Sequence, residues 1–524
     1  MSTSEAIESL PPVADNQKQT LAPDIDMLDA APEDSATDVV ANAPRTSSQT
    51  SESSSFYPES ETSTLKFDHT PFEEYKTQVQ QLCYLLWSPS YPPKAPSLSS
   101  KERRGASSSR FLGVLRKKKA IPALEPKTPS KQFLIERMAG GSYNRVTGIT
   151  ILDSNGKKET RLVLRVPRYA WDSTPEREVA ILRYVRQYTS ISVPEVIAVD
   201  FTSNNLLKDP YVVQKRVPGI SISAAKQERE LTTEQWCTVA REIGRTMLEL
   251  QKLTNPTPGL IESSSNEDGS YSFSVVPFDI RSAHDPDWKV KAAAVTAGKK
   301  ASVLRLYKES TFRFLITQFG RWMADELGQR PDGIYNWDFM YRLAEVAGQM
   351  NKMCILGDDI NCLAHLDLAG RNIMVDFHPG EPIKITGYLD WDSAVFAPRF
   401  VSCAPPWWLW QDDDDATDYQ EDESKASETP AHAHKVEIKR AFEETVGEDF
   451  LTYAYKPQFQ LARKLFHIAI HGNSSSSQLQ LVENFLDEWT AFYHKEMEEF
   501  QANKEILRED DSSERDDFQE CEDP

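Results

Sequence analysis

HLDLAGRNIMVDFHPGEPIKITGYLDWD, residues 365–392, reads as a short loop, a strand, a tight turn and a second strand. Asp367 and Asn372 stand five positions apart, and Leu368-Ala369-Gly370 leaves room for a tight loop between them. Ile373–Val375 predicts a strand, Phe377–Glu381 a turn around Pro379-Gly380, and Ile383–Leu389 a returning strand. A hairpin brings its two open ends together. Asn372 enters the first strand and Asp390 leaves the second, so their side-chain oxygens are expected at one end, with Asp367 approaching the same place. Two carboxylates and an amide oxygen converging there make a hard-oxygen site suited to Mg²⁺, with phosphate and water completing the octahedron. Alone, H-x-D-x-x-x-x-N is a pattern that chance supplies in a long chain, and aspartates commonly cap turns. The Leu389-Asp390-Trp391-Asp392 ending after a hairpin is what lifts it above chance.

This block resembles the catalytic loop of protein kinases and, more closely, that of aminoglycoside phosphotransferases and choline kinases. Protein kinases carry H-R-D-x-x-x-x-N followed by D-F-G. Here His365-Leu-Asp367-x-x-x-x-Asn372 precedes Leu389-Asp390-Trp391-Asp392, and the Asp-Trp-Asp ending is typical of the small-molecule branch. The resemblance implies an α+β, two-lobed protein-kinase-like fold, with a small antiparallel-sheet N-lobe and a mainly helical C-lobe. It implies Asp367 as the base that orients the acceptor hydroxyl, and Asn372 and Asp390 as the residues holding Mg²⁺ against the phosphates of ATP. His365 is expected to orient the loop through hydrogen bonds. Asp392 reads equally as a carboxylate behind the metal ligands or as a turn cap.

A kinase-like lobe needs a glycine loop over the phosphates, and Ala139-Gly140-Gly141-Ser142-Tyr143-Asn144 lies between two predicted strands. Glycines admit close backbone approach, and exposed N–H groups with the Ser142 hydroxyl can cradle anions. On its own such a turn is more often an ordinary hairpin. The strand after it must present a cation, and Arg165 in Val-Leu-Arg165-Val-Pro is that cation, where protein kinases use Lys. Arginine keeps the charge and grips phosphate bidentately. Its acidic partner is expected on the next helix, with Glu178 fitting best and Glu176 as the alternative. Gly140, Gly141, Ser142, Asn144, Arg165 and Glu178 are therefore the expected nucleotide-binding residues. Tyr211-Val-Val-Gln-Lys-Arg-Val-Pro-Gly219 resembles the hinge between lobes, where backbone groups would meet adenine.

Outward from these motifs, strands are predicted over Phe133–Met138, Val146–Leu152, Arg161–Val166, Pro194–Phe201 and Tyr211–Val217, with a helix from Thr174 to Tyr188. Beyond Gly219 the pattern is mainly helical. Thr232-x-x-Gln235 is a capping box ahead of the stripe Trp236, Val239, Ile243, Met247 and Leu250, and Asp338–Met353, Val436–Tyr455, Gln458–His471 and Gln478–Phe500 carry helical spacing. The expected organisation has six segments: a disordered region over 1–68, a docking helix over 69–88 and a basic Pro/Ser-rich linker over 89–130, then an N-lobe with hinge over 131–219, a C-lobe over 220–500 containing an acidic loop at 411–435, and an acidic, frayed tail over 501–524. One departure from the resemblance is visible: Ala-Pro-Arg399-Phe and Pro405-Pro-Trp-Trp408 follow the metal loop where relatives often carry another Asp. This marks a divergent branch, and antibiotic kinases are no guide to its substrate.

Composition sets the bounds. Of 524 residues, 39% are hydrophobic and 27% charged, and the net charge of -21 argues against nucleic acid as the main partner. Six scattered cysteines without a C-x-x-C pair fit reduced thiols rather than a disulfide framework or zinc site. No apolar run reaches membrane-spanning length, and no signal peptide is visible, so a cytoplasmic location is expected, with the nucleus open. The function expected from these signals is ATP- and Mg²⁺-dependent phosphorylation of a hydroxyl on a small molecule. The rival is a catalytically inactive pseudokinase-like module that binds nucleotide or protein. A protein kinase is the third reading, disfavoured because no A-P-E-like ending follows Asp390.

Overall fold

The computed structural model describes residues 70–87, 131–138, 143–153, 159–168, 175–228, 231–278, 310–329, 335–357, 360–377, 382–411, 423–472 and 476–516, all within one compact unit, Glu61–Pro524. The expected disordered region 1–68, the basic linker and Gly140, Gly141 and Ser142 lie outside the described residues.

Strands β1 (Lys131–Arg137), β2 (Asn144–Asp153), β3 (Glu159–Pro167), β4 (Val196–Asp200) and β5 (Tyr211–Lys215) form an antiparallel sheet in the order β1-β2-β3-β5-β4. Period-two alternation explains which face is buried: Phe133 and Ile135 on β1, and Leu162, Leu164 and Val166 on β3, point into one core while their neighbours point away. Helix α1 (Phe72–Trp87) closes that core with Tyr75, Val79, Leu82 and Cys83. Its apolar residues recur at helical spacing, and each large one fully removed from water contributes roughly 1.5–3 kcal/mol. Arg145 on β2 fastens the start of α1, donating from Nη2 to the Thr70 carbonyl at 2.8 Å and lying over the Tyr75 ring. Helix α2 (Pro175–Tyr188) covers the opposite side, and its Ala180, Ile181, Leu182 and Val185 belong to the core of the second lobe.

The chain passes to that lobe through Gly219, whose φ of 91° is left-handed; a Cβ there would lie 2.1 Å from the Val375 carbonyl oxygen. Only glycine fits both demands. Strand β6 (Ile220–Ser221) and helices α3 (Ile222–Glu228) and α4 (Thr233–Gln251) follow, and Thr232 with Gln235 forms the capping box at the head of α4. Next come β7 (Thr254–Asn255), the hairpin β8 (Leu260–Ser265) and β9 (Tyr271–Val276), and helices α5 (Thr311–Gln329) and α6 (Tyr335–Lys352). Strand β10 (Asn361–Ala364), the hairpin β11 (Ile373–Asp376) and β12 (Lys384–Tyr388), and β13 (Val395–Pro398) carry the motif-bearing segment. Helices α7 (Ala433–Tyr455), α8 (Pro457–His471) and α9 (Ser476–Asp516) complete the lobe. The fold is the two-lobed protein-kinase-like one, a small antiparallel-sheet lobe beside a mainly helical lobe. No helix among the described residues is long and apolar enough to cross a membrane.

Three features differ from expectation. The β8–β9 hairpin arises where no strand was predicted; its polar run Ser263-Ser264-Ser265 hides the alternation that Leu260 and Ile261 begin. The acidic loop expected over 411–435 is packed in its second half. Ala426 is fully buried, and Glu423 accepts from the buried Arg463 Nε at 2.9 and 3.0 Å, while Arg463 also donates to the carbonyls of Phe400, Tyr453 and Ala454. A buried guanidinium needs such partners, which composition cannot reveal. Finally, the backbone of α9 stays helical to Asp516, through residues expected to fray.

Candidate active site

Arg165 is placed by strand alternation. Leu164 and Val166 face the core under α1, so Arg165 between them faces α2. There its Nη1 donates to Glu178 Oε1 at 2.6 Å, and Gln214 Nε2 donates to the same oxygen at 3.2 Å. Glu178 is buried on the inner side of α2 whereas Glu176 is exposed, which settles the choice between them as the ion-pair partner. Arg165 Nη2 reaches across to Asp390 Oδ1 at 3.0 Å and stands 4.0 Å from Asp392. One guanidinium thus ties the small lobe to the Asp390 carboxylate of the large one. Burial opposes the charge on Arg165, but Glu178, Asp390 and Asp392 together hold its pKa above the ordinary value.

The second group is built on β10 and the β11–β12 hairpin. Strand β10 is buried along its whole length between β13 and β7, which fixes the start of the loop at His365. The Asp367 backbone N–H donates to His365 Nδ1 at 3.2 Å. The proton of the neutral ring is therefore on Nε2, which donates to the Leu389 carbonyl at 2.9 Å. Burial lowers the pKa of His365, so the ring serves as a neutral strut between the two halves of the motif. Asn372 ends a 3-10 turn, Gly370–Asn372, rather than opening the strand itself. Its Nδ2 donates to the Asp367 carbonyl at 3.0 Å and to Asp367 Oδ2 at 2.8 Å, and its own carbonyl accepts from the Leu389 N–H at 2.7 Å. Pairing of Ile373 with Tyr388 thus sets Asn372 across from Leu389, next to Asp390.

The donor set fits a hard divalent cation. The amide nitrogen of Asn372 is turned toward Asp367, which leaves its carbonyl-type Oδ1 as the atom able to meet a metal. Burial pushes the Asp390 carboxyl up, but the Arg165 guanidinium overcomes this and keeps it below the usual range, hence ionised. Asp392 is pushed up, first by withdrawal from water and then by Glu178 and Asp390. One carboxylate and one amide oxygen suit Mg²⁺, which keeps several waters and takes its other ligands from phosphate.

Asn144 is buried at the start of β2, paired with Pro167. It lies on the same sheet face as Arg165, two register pairs further along, and outside the ion-pair cluster. Two residues at the site were missed by sequence reasoning. Arg371 Nη2 donates to Asp367 Oδ1 at 2.6 Å. Trp408 Nε1 donates to the Leu368 carbonyl at 3.1 Å, and its ring packs on Gly370, where a Cβ would lie 3.2 Å from Trp408 and 3.1 Å from Ser223 Oγ. The Pro-Pro-Trp-Trp departure noted in the sequence is thus a buttress of the loop that carries Asp367.

A sheet lobe and a helical lobe joined over such a loop make the protein-kinase-like fold. The chain belongs to the phosphotransferase enzyme family, which matches it over residues 135–433, more than half of its length. No curated protein matches the sequence. Among solved structures, it is similar to an ethanolamine kinase of Plasmodium vivax at 13% identity and a TM-score of 0.35, covering 70% of this chain and 81% of that one. The GDP complex of aminoglycoside 2'-phosphotransferase-IIIa matches at 12% identity and a TM-score of 0.34, covering 68% and 92%. Choline kinase from Cryptosporidium parvum Iowa II matches at 12% identity and a TM-score of 0.30, covering 72% and 90%.

Proposed function

We propose that the chain transfers the γ-phosphoryl group of ATP to a hydroxyl of a small molecule. The observation that carries this reading is the double pairing of Arg165 with Glu178 and Asp390, a cation held between lobes beside the Asp367–Asn372 loop. Mg²⁺, held by Asn372 and Asp390, would neutralise charge on the phosphates. Arg165 and Asn144, with Gly140, Gly141 and Ser142, would bind the phosphates. Asp367 would accept a hydrogen bond from the acceptor hydroxyl and then its proton. The acceptor oxygen forms a bond to the γ-phosphorus, the bond from that phosphorus to the bridging oxygen breaks, and ADP leaves.

Asp367 orients the acceptor rather than the nucleotide, so Asp367→Ala is expected to lower transfer by about 10²–10⁴-fold while ATP affinity stays nearly unchanged. Phosphoryl transfer is measured against a panel of amino alcohols, aminoglycosides, sugars and hydroxy acids. A variant that keeps full turnover refutes the role of Asp367. A second reading, a nucleotide-binding module without transfer, draws on the engagement of both Asp367 oxygens by Arg371 and Asn372. ATP affinity without turnover on any acceptor or on water would select it.

A further inference from the structure

We propose that the β8–β9 hairpin positions the ion pair between the lobes: through Tyr271 and Phe273 it fixes the setting of α2, and so the place at which Glu178 holds Arg165. Its effect on ATP rests on the phosphotransferase reading above; its effect on the ion pair does not. The hairpin is anchored in the large lobe. Gly259 and Phe396 exchange both backbone hydrogen bonds at 2.9 Å, and Ile261 is fully buried in the core that α2 shares. A Cβ on Gly259 would strike the Val276 carbonyl oxygen, so the base of the hairpin is tightly closed. Six register pairs, from Leu260–Val276 to Ser265–Tyr271, carry that anchorage outward to the turn.

Period-two alternation puts Tyr271, Phe273 and Val275 on one face of β9, more buried than Ser272 and Ser274 between them. That face meets the C-terminal half of α2. The Phe273 ring lies edge-on to Tyr184 at 5.3 Å and 81° and to Tyr188 at 6.1 Å and 71°, and the Arg183 guanidinium lies 3.9 Å over Tyr271. Tyr184 is also edge-on to Phe396, the residue that anchors the hairpin, at 5.9 Å. Edge-to-face rings and a cation over a ring each have a preferred geometry, so contacts spread from Arg183 to Tyr188 constrain both the rotation and the height of the helix. Just beyond α2, Ser190 donates from its N–H and its Oγ to the Glu249 carboxylate of α4. Glu178 stands six residues before Tyr184, about 9 Å along the axis at 1.5 Å per residue. There it accepts from Arg165 and Gln214, both of the small lobe. An α-helix transmits a rotation imposed at one end to the other, so the grip on Tyr184 sets where Glu178 meets Arg165. The same helix packs against the Trp391–Ser393 turn that follows Asp390. A misplacement of about 1 Å can cost about 10²-fold where a reaction depends on positioning.

Wild type, Phe273→Ala, Glu178→Gln and the double variant, all full-length, are titrated with Mg²⁺·ATP and with adenosine, and transfer from ATP is followed on the acceptor panel above. Phe273→Ala is expected to weaken Mg²⁺·ATP about three- to tenfold, the factor one edge-to-face aromatic contact represents, with adenosine affinity held within about twofold. In the Glu178→Gln background the same substitution should change ATP affinity by less than about twofold, because the link it acts through is already gone. Phe273→Tyr, which keeps the ring, should retain wild-type affinity. If Phe273→Ala does not fold, Tyr271→Ala, next to the turn, takes its place in the same comparison. An unchanged ATP affinity, equal losses for ATP and adenosine, or the same loss with and without Glu178 overturns the inference. ATP binding with the expected pattern but no transfer leaves the inference standing and overturns the phosphotransferase reading instead. If the wild type binds no ATP, that reading falls as well, and urea denaturation of the same four proteins decides the inference. The stability costs of Phe273→Ala and Glu178→Gln fall short of adding if the hairpin acts through Glu178, and simple addition removes the inference.

Discussion

Arg165→Met gives the most demanding check on how the two lobes are joined. The Arg165 side chain is 12% exposed and that of Glu178 6%, so removing the guanidinium strands a buried carboxylate. Breaking a buried pair from one side costs about 3–5 kcal/mol. The lower end applies here, because Gln214 still donates to Glu178 and the carboxyl can take up a proton. Asp390 adds little to the cost, since its side chain is 39% exposed and water screens what Arg165 leaves behind. Arg165→Met with Glu178→Gln removes both charges, and most of the lost stability is expected to return, giving a coupling of about 2 kcal/mol in a double-mutant cycle. ATP affinity should behave otherwise. One lost guanidinium–phosphate contact is worth about 10–100-fold, and neutralising Glu178 cannot restore it. Urea denaturation reads the first quantity and isothermal titration with Mg²⁺·ATP and adenosine the second. Adenosine affinity should hold within about twofold, and Arg165→Lys should recover part of the ATP loss. A double variant that regains both stability and ATP affinity would refute the phosphate role and leave Arg165 as a support of the fold. A cost below about 1 kcal/mol for Arg165→Met alone would refute the buried pair.

Two further outcomes are expected. Thermal stabilisation by ATP with Mg²⁺ should exceed the sum of their separate effects, and Asp390→Asn should abolish the excess; equal stabilisation of the wild type with Mg²⁺ or EDTA removes Mg²⁺ from the site. Burial pushes His467 down to about 4, with His471 and Arg463 adding to the effect. The unfolded chain, at an ordinary value of about 6.5, binds a proton that the folded chain refuses, so this contribution is complete above pH ~6.5 and is lost as pH falls toward ~4. His467→Gln should flatten that limb by roughly 2–3 kcal/mol in denaturation curves, and an unaltered slope would show that the histidine is not the cause.

The parts of the fold that were legible in the sequence are those where local chemistry and tertiary role agree. Tyr75, Val79 and Leu82 repeat at helical spacing because one stripe meets the sheet, and α1 is the result. Leu162, Leu164 and Val166 alternate because β3 has one buried face, and the same alternation turns Arg165 toward Glu178. The β11–β12 hairpin was likewise legible from the turn between two apolar runs, but its register was not, because a bulge between Met374 and Val375 shifts the pairing. What stayed hidden depends on partners far along the chain. Trp408 meets Leu368 across 40 positions, and Glu423 meets Arg463 across 40, without local periodicity to announce either contact. Arg371 was in plain view inside the decisive stretch, but nothing local in the sequence announces its 2.6 Å contact with Asp367.

Asp390 shows how these contacts act together. Its φ of 64° and ψ of 59° are left-handed, a conformation glycine adopts freely and an aspartate adopts at a cost of about 1–2 kcal/mol. Such a residue persists only where its surroundings over-determine it. Here they do: the Leu389 N–H is held by the Asn372 carbonyl, the Leu389 carbonyl by His365 Nε2, and Trp391, fully buried, donates from Nε1 to the Tyr388 carbonyl. With the two peptide units before Asp390 held by hydrogen bonds and the Trp391 side chain anchored after it, the left-handed turn carries the Asp390 side chain out of the line of β12 and toward Arg165. That is why Asp390, at 3.0 Å, and not Asp392, at 4.0 Å, makes the closer contact between the lobes. A glycine would adopt this turn without strain but would have no carboxylate for Arg165, so the aspartate and its supporting hydrogen bonds form a single device that holds a charged oxygen at the junction of the lobes.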